Sequence, residues 1–188
     1  VCDGALTSLN FLKELAGIES GQQVLINGAS GSLGTAAVQI AKSFGAHVTG
    51  VCSTANLEMV KSLGADEVID YTKVDFTLTE KGYDVIYDTV GKSSFSHSKK
   101  ALTPTGVFVS PVLSLALLFE MLWTSKFGSK KARFSATGIL PAPKLRELLH
   151  EVKDLIESGR LRTVIDRRYP LDDIAEAHRY VDQGHKKG

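Results

Sequence analysis

The chain has 188 residues and a mass of 20.3 kDa, enough for one ordinary domain or two small ones. Hydrophobic residues at 43% and charged residues at 23% exclude a disordered chain, a collagen and a coiled coil. Twenty-two basic residues against 21 acidic ones give a formal charge of +1, which leaves no overall footprint for nucleic acid or an anionic membrane.

Along the chain, short apolar runs alternate with segments of helical period. Residues 23–27 read as a buried strand ended by Gly28. Leu33, Ala36, Ala37, Ile40, Ala41 and Phe44 fall on one helical face over 33–44, and Gly45 stands where a helix would stop. Residues 47–52 predict a second strand, 56–63 a helix ended by Gly64, and 67–71 a third strand. The pattern then repeats: a strand at 83–88, a helix at 94–102, a strand at 106–110, a helix at 113–125 and a sixth strand at 133–137. Pro141 and Pro143 introduce a helix at 144–158 ended by Gly159. A further strand is possible at 163–166, and Pro170 opens a last helix at 172–182. Strands alternating with helices predict an α/β fold with a parallel sheet covered on both faces. Six strands in this order fit the two mononucleotide-binding halves of a doubly wound, Rossmann-type domain.

The most informative segment is Gly28-Ala29-Ser30-Gly31-Ser32-Leu33-Gly34, because it follows a strand and opens a helix. The sharp turn off the strand favours residues that tolerate positive φ. A pyrophosphate needs close approach to bare backbone, which Gly31 allows, and Gly34 lets the helix pack on the sheet. The helix N-terminus offers N–H groups and a partial positive charge to phosphate. The alternative is a tight turn with no ligand.

The end of the second strand bears on which dinucleotide is bound. NAD-binding domains place an acid there, about 20 residues on, for the ribose hydroxyls. Here the position is Cys52, followed by Ser53, Thr54, Ala55 and Asn56, with no carboxylate before Glu58. Small hydroxyl side chains tolerate a 2′-phosphate that an acid would repel, so NADP(H) is favoured over NAD(H). No Arg or Lys follows at once; Lys61 is the nearest cation. Tyr71 supplies either another hydroxyl or only a strand-end aromatic ring.

Other features carry less chemistry. Gly91-Lys92-Ser93 resembles the tail of a P-loop, but the first glycine of that motif would fall on Ile86, so no phosphate cradle forms. No Tyr has Lys four residues on. His47, His97, His150, His178 and His185 show no i, i+4 pairing for a helix-borne metal site. Cys2 and Cys52 are too few for a disulfide framework or a four-ligand zinc site and read as free thiols of a reducing, cytoplasmic compartment. The first twenty residues lack the pattern of a signal peptide. The apolar stretch 112–123 is only 12 residues long and includes Glu120, too short and too polar to span a bilayer. It is core, a pocket wall or a partner surface, and makes a homodimer plausible.

These segments together resemble the zinc-independent medium-chain dehydrogenase/reductases, in particular the quinone oxidoreductase-like branch. The matching stretches are 21–31, 37–42, 62–66, 83–91, 169–171, 175–178 and 184–188. The resemblance implies direct hydride transfer from NADPH to a quinone or activated double bond of a small-molecule substrate. It implies pyrophosphate contacts at Ser30, Gly31, Ser32 and Leu33, and adenosine 2′-phosphate contacts at Ser53 and Tyr71. It places Val90 near the adenine and Ser110 beside the nicotinamide. Asn56 stands, with Ala55, where the family often has a basic residue, and with Lys61 it completes the expected cofactor-binding set. No metal is expected, since the ligand pattern of the zinc-dependent relatives is absent around Cys2 and Asp3. Residues 1–188 are expected to form the nucleotide-binding domain, with the family's N-terminal GroES-like catalytic domain and a last strand outside this chain. Three alternatives stay open: a cofactor-binding module without catalysis, a scaffolding descendant, and a fragment of a zinc-dependent alcohol dehydrogenase.

Overall fold

The computed structural model describes residues 2–79, 81–184 and 186–188. Its strands are β1 (Gln23–Asn27), β2 (His47–Cys52), β3 (Glu67–Asp70), β4 (Tyr83–Asp88), β5 (Leu102–Val109) and β6 (Lys131–Arg133). They form one six-stranded sheet in the order β3-β2-β1-β4-β5-β6, with every adjacent pair parallel. This is the doubly wound, Rossmann-like α/β arrangement, and its strand order reverses between β1 and β4.

Parallel neighbours require crossovers, which the helices supply. These are α1 (Cys2–Leu9), α2 (Ser32–Ser43), α3 (Leu57–Ser62), α4 (Phe95–Ser98), α5 (Leu115–Lys126), α6 (Ala142–Glu157) and α7 (Ile174–Asp182). Strand side chains alternate between the two faces. In β1, Val24 and Ile26 join the core formed with α1, α2, α3 and α6, while Leu25 joins the core formed with α4 and α5. Burial on both faces explains why the strands read as continuous apolar runs.

Several boundaries differ from those read in the sequence. β5 starts at Leu102 rather than 106, because Leu102 pairs with Tyr83 before a bulge resets the register to Val107 opposite Val85. Asp84 holds this irregular start, accepting from Thr103 Oγ1 (3.1 Å) and from Gln23 N (2.9 Å). β6 lies at Lys131–Arg133, ahead of the expected 133–137. The helix expected at 94–102 shortens to α4, a single turn capped by Ser94. Residues 163–166 pair with no strand among the described residues. The chain just before them is held by Gln39 instead, which accepts from Arg162 N (2.9 Å) and donates to Arg162 O (3.1 Å).

The opening helix had no counterpart in the sequence pattern. α1 runs into a π-helical segment, Asn10–Ala16, that buries Phe11 and Leu12. α1 packs against α2, with Ser8 Oγ donating to Leu33 O (2.9 Å), and Phe11 stacks on Tyr87 with ring centroids 5.4 Å apart.

Candidate functional site

The parallel sheet brings the C-terminal ends of its strands to one edge, and the expected cofactor residues fall there. The turn 28–31 leaves β1 and enters α2. Gly28 has φ +81°, and a Cβ on it would lie 2.3 Å from Val90 Cγ2 and 2.6 Å from Thr89 Oγ1. A Cβ on Gly34 would lie 2.1 Å from Gly28 O. Both glycines are therefore required by the fold. Gly31 differs. Its backbone is extended, with φ −82° and ψ 179°, and a Cβ there would meet only Gly28 O at 3.6 Å, an ordinary contact. Nothing within the chain demands glycine at this position.

Gly31 is also the N-cap of α2 and brings no side-chain oxygen to the helix N-terminus. The first-turn N–H groups of a helix have no partner within it. Ser32 opens the helix and is exposed, Leu33 is half-buried, and Ser30 O accepts from Gly188 N (3.0 Å). The four residues expected around a pyrophosphate thus form one turn with an uncapped, positively polarised helix end.

At the ends of β2 and β3, Tyr71 N donates to Cys52 O (3.1 Å), which sets Tyr71 beside Ser53. Asn56 Nδ2 donates to Ser53 Oγ (3.1 Å), so Ser53, Asn56 and Tyr71 gather in one place. Tyr71 is 59% exposed, a strand-end ring with its hydroxyl available. Lys61 is exposed on α3 and makes no hydrogen bond or ion pair with the other three among the described residues. Ser110 is buried at the end of β5, where its Oγ accepts from Val112 N (3.2 Å) and so closes its own loop.

Two carboxylates organise this edge, and the sequence reading assigned neither a role. Asp88, fully buried at the end of β4, accepts from Asn27 Nδ2 (3.0 Å), Val90 N (3.2 Å), Gly91 N (3.2 Å) and Ser93 N (2.9 Å). It fixes the loop that holds Val90 over Gly28. It also disfavours Gly91-Lys92-Ser93 as a phosphate cradle: the backbone N–H groups of Val90, Gly91 and Ser93 are already given to Asp88. Asp70, at the end of β3, accepts from Thr54 Oγ1, from Thr72 Oγ1 (2.7 Å) and from Thr72 N (3.0 Å). These bonds from Thr54 and Thr72 hold its carboxyl at about 2. Burial first, and Asp70 second, push the neighbouring Cys52 thiol up to about 11, so this cysteine is a core residue and not a nucleophile. The visible signal for both acids was an Asp ending a strand, and one partner of each comes from elsewhere in the sheet, Asn27 on β1 for Asp88 and Thr54 after β2 for Asp70.

No group of three or more His, Cys, Asp or Glu side chains is placed to hold a metal ion among the described residues. A cavity of about 330 Å³ lies against α7 among Arg167, Tyr169, Arg179 and Tyr180, and shares no residue with the glycine turn. No helix of the described residues is long and apolar enough to cross a membrane.

Residues 63–188 match the family described as zinc-binding dehydrogenase. The mouse protein named NAD(P)H oxidoreductase RTN4IP1, mitochondrial, is 36% identical over 98% of this chain and 52% of its own length. The trans-enoyl reductase pgmF of Aspergillus terreus is 32% identical over 90% of this chain and 51% of its own length. The Escherichia coli quinone oxidoreductase solved in complex with NADPH superposes with a TM-score of 0.81 and 27% identity, covering 98% of this chain and 61% of that one. The chain spans about half the length of the curated relatives it matches. Nothing among its described side chains fits the metal that the family description names. The chain belongs to the zinc-binding dehydrogenase family, among its quinone oxidoreductase-like medium-chain members.

Proposed function

We propose that this chain is the NADP(H)-binding half of an oxidoreductase that reduces a quinone or an activated double bond. The observation that carries the reading is Gly31, a glycine that neither its backbone angles nor its neighbours in the chain require. It lies at the uncapped end of α2, where bare backbone and unpaired N–H groups suit a pyrophosphate. Ser30, Ser32 and Leu33 complete that turn. Ser53, Asn56 and Tyr71 offer hydroxyl and amide groups to a 2′-phosphate, and Val90 supplies an apolar wall. Ser110 lies near the nicotinamide end, where its Oγ accepts from Val112 N and keeps its own O–H to donate. Lys61 contributes charge at a distance.

The bound cofactor supplies the hydride, and this half supplies position and electrostatics. The NADPH complex of the Escherichia coli quinone oxidoreductase supports the choice of cofactor, and the enoyl reductase likeness supports the double-bond alternative. The substrate-binding half of such an enzyme lies outside this chain. Titrating the chain with NADPH and with NADH, while following nicotinamide fluorescence, tests the reading. Saturable binding that is tighter for NADPH is expected. Saturable binding of neither dinucleotide at millimolar concentration would falsify it.

A further inference from the structure

The ends of β2 and β3 bring two acids to the place where Ser53, Asn56 and Tyr71 gather. From Ser53 to Val60 the chain has no Lys or Arg, and its one charged residue is Glu58, in the first turn of α3. Asp70 ends β3, where it pairs with Cys52 at the end of β2. A 2′-phosphate at this place meets two like charges unless a cation stands among them. Lys61 does not stand there. It lies in the last turn of α3, which carries the chain from the end of β2 back toward the start of β3.

Lys73 does stand there. Lys73 N and Val74 N both donate to Asp70 O (3.0 Å each), a tight turn that folds the chain back at the end of β3. The turn sets Lys73 Nζ 3.6 Å from Asp70 Oδ2. The same oxygen accepts from Thr54 Oγ1, in the residue that follows Ser53. One carboxylate oxygen thus ties Lys73 to the segment that holds Ser53 and Asn56. Among the described residues, no other Lys or Arg pairs with residues 52–58 or 70–74. Asp75, the next acid along, is engaged elsewhere, accepting from Thr77 N (2.9 Å) and Thr77 Oγ1 (2.8 Å). Asp70 does not depend on the lysine either. The Thr54 and Thr72 hydroxyls and Thr72 N already donate to it, and Lys73 adds least to keeping its carboxyl ionised. The lysine side chain is 66% exposed, and an exposed pair of this kind is weak enough to exchange.

Given the proposed cofactor function, on which this rests, we propose that Lys73 is the residue that selects NADP(H), its ammonium passing from Asp70 to the adenosine 2′-phosphate when the cofactor binds. The flexible four-carbon stem supplies the reach. The exchange leaves no charge stranded. Asp70 keeps its three hydroxyl and amide donors, and the lysine gains a partner with more charge and more acceptor oxygens than a carboxylate. NADH offers only a 2′-hydroxyl, which gives the lysine no reason to leave Asp70. Without Lys73, the phosphate faces Glu58 and Asp70 with no counter-charge.

The experiment titrates the chain and its Lys73→Met, Lys73→Arg and Lys153→Met variants with NADPH and with NADH, following nicotinamide fluorescence. Lys153→Met removes the same charge from α6, where Lys153 pairs with Glu157 (3.3 Å). Lys73 and Lys153 are both exposed, so circular dichroism should show an unchanged fold. Lys73→Met should weaken NADPH binding about tenfold or more, the loss of one charge-assisted contact, and leave NADH binding unchanged. Lys73→Arg should keep the preference for NADPH, and Lys153→Met should alter neither affinity. The proposal is overturned if Lys73→Met keeps the parent's preference for NADPH, or if it weakens both dinucleotides equally; either result leaves the cofactor function standing. It is also overturned if the parent binds NADH as tightly as NADPH, which would make Glu58 and Asp70 dominant at this place. A parent that binds neither dinucleotide overturns the cofactor function and this role together.

Discussion

The three glycines of the β1–α2 turn do different work, although the sequence writes them alike. Gly28 is held by its positive φ and by Val90, and Gly34 by backbone atoms 2.1 to 2.8 Å from where a Cβ would sit. Backbone cannot yield as a flexible side chain can, so Gly34→Ala should cost about 2 kcal/mol or more in a denaturant titration. Gly31→Val should leave the denaturation midpoint within about 1 kcal/mol of the parent, because its backbone is extended and open. The same change should weaken NADPH binding about tenfold or more by placing methyl groups where the phosphates approach. If Gly31→Val unfolds the chain while Gly34→Ala does not, the division of roles is wrong. The turn was legible in the sequence because its determinants lie within seven consecutive residues, Gly28 to Gly34. Asp88 and Asp70 were not, because their partners Asn27 and Thr54 sit on or after different strands and meet them only when the sheet forms.

Among the elements, the loop after β4 depends most on a single side chain. Asp88 supplies one carboxylate to Asn27 and to three backbone N–H groups of residues 90, 91 and 93. Removing the acceptor leaves these donors unpaired at a buried position, so Asp88→Ala should cost about 3 kcal/mol. Asp88→Asn keeps one acceptor oxygen and should cost less. Both should weaken NADPH binding, since Val90 no longer has a fixed position over Gly28. Chemical denaturation and the nicotinamide titration measure the two effects separately, and an Asp88→Ala chain as stable as the parent would refute this role. At this scale the sequence showed the strands and the long amphipathic helices well, because buried parallel strands stand out as short apolar runs and α6 carries a strong helical period. It showed α1 poorly. Gly4, Thr7 and Ser8 give that segment little helical preference, and packing against α2 overrides it. The segment at 163–166 has strand-like composition, but the sheet ends at β3 and β6, and it gains no neighbour there.

For the whole molecule, the strand-end crevice is open. Ser32, Tyr71 and Val90 at its rim are all exposed, and the cavity that touches Ser32 and Gly188 holds only about 40 Å³. Drug-sized ligands are usually held in about 300–1,000 Å³, so a cavity of that size does not enclose a nicotinamide and an acceptor together. On the proposed function, binding needs only the phosphate turn at residues 28–34 and the adenosine end at Ser53, Asn56 and Tyr71. Hydride transfer needs the acceptor held against the nicotinamide in a site that excludes water, and orientation of that kind contributes about 7–11 kcal/mol to a barrier. The two properties should therefore separate in this chain. NADPH should bind saturably, while its oxidation in the presence of a quinone should proceed no faster than with the Gly31→Val variant. Loss of the reduced nicotinamide absorbance measures that rate. Turnover by the parent chain that Gly31→Val abolishes would show that the open crevice is sufficient, and that this half orients the acceptor by itself.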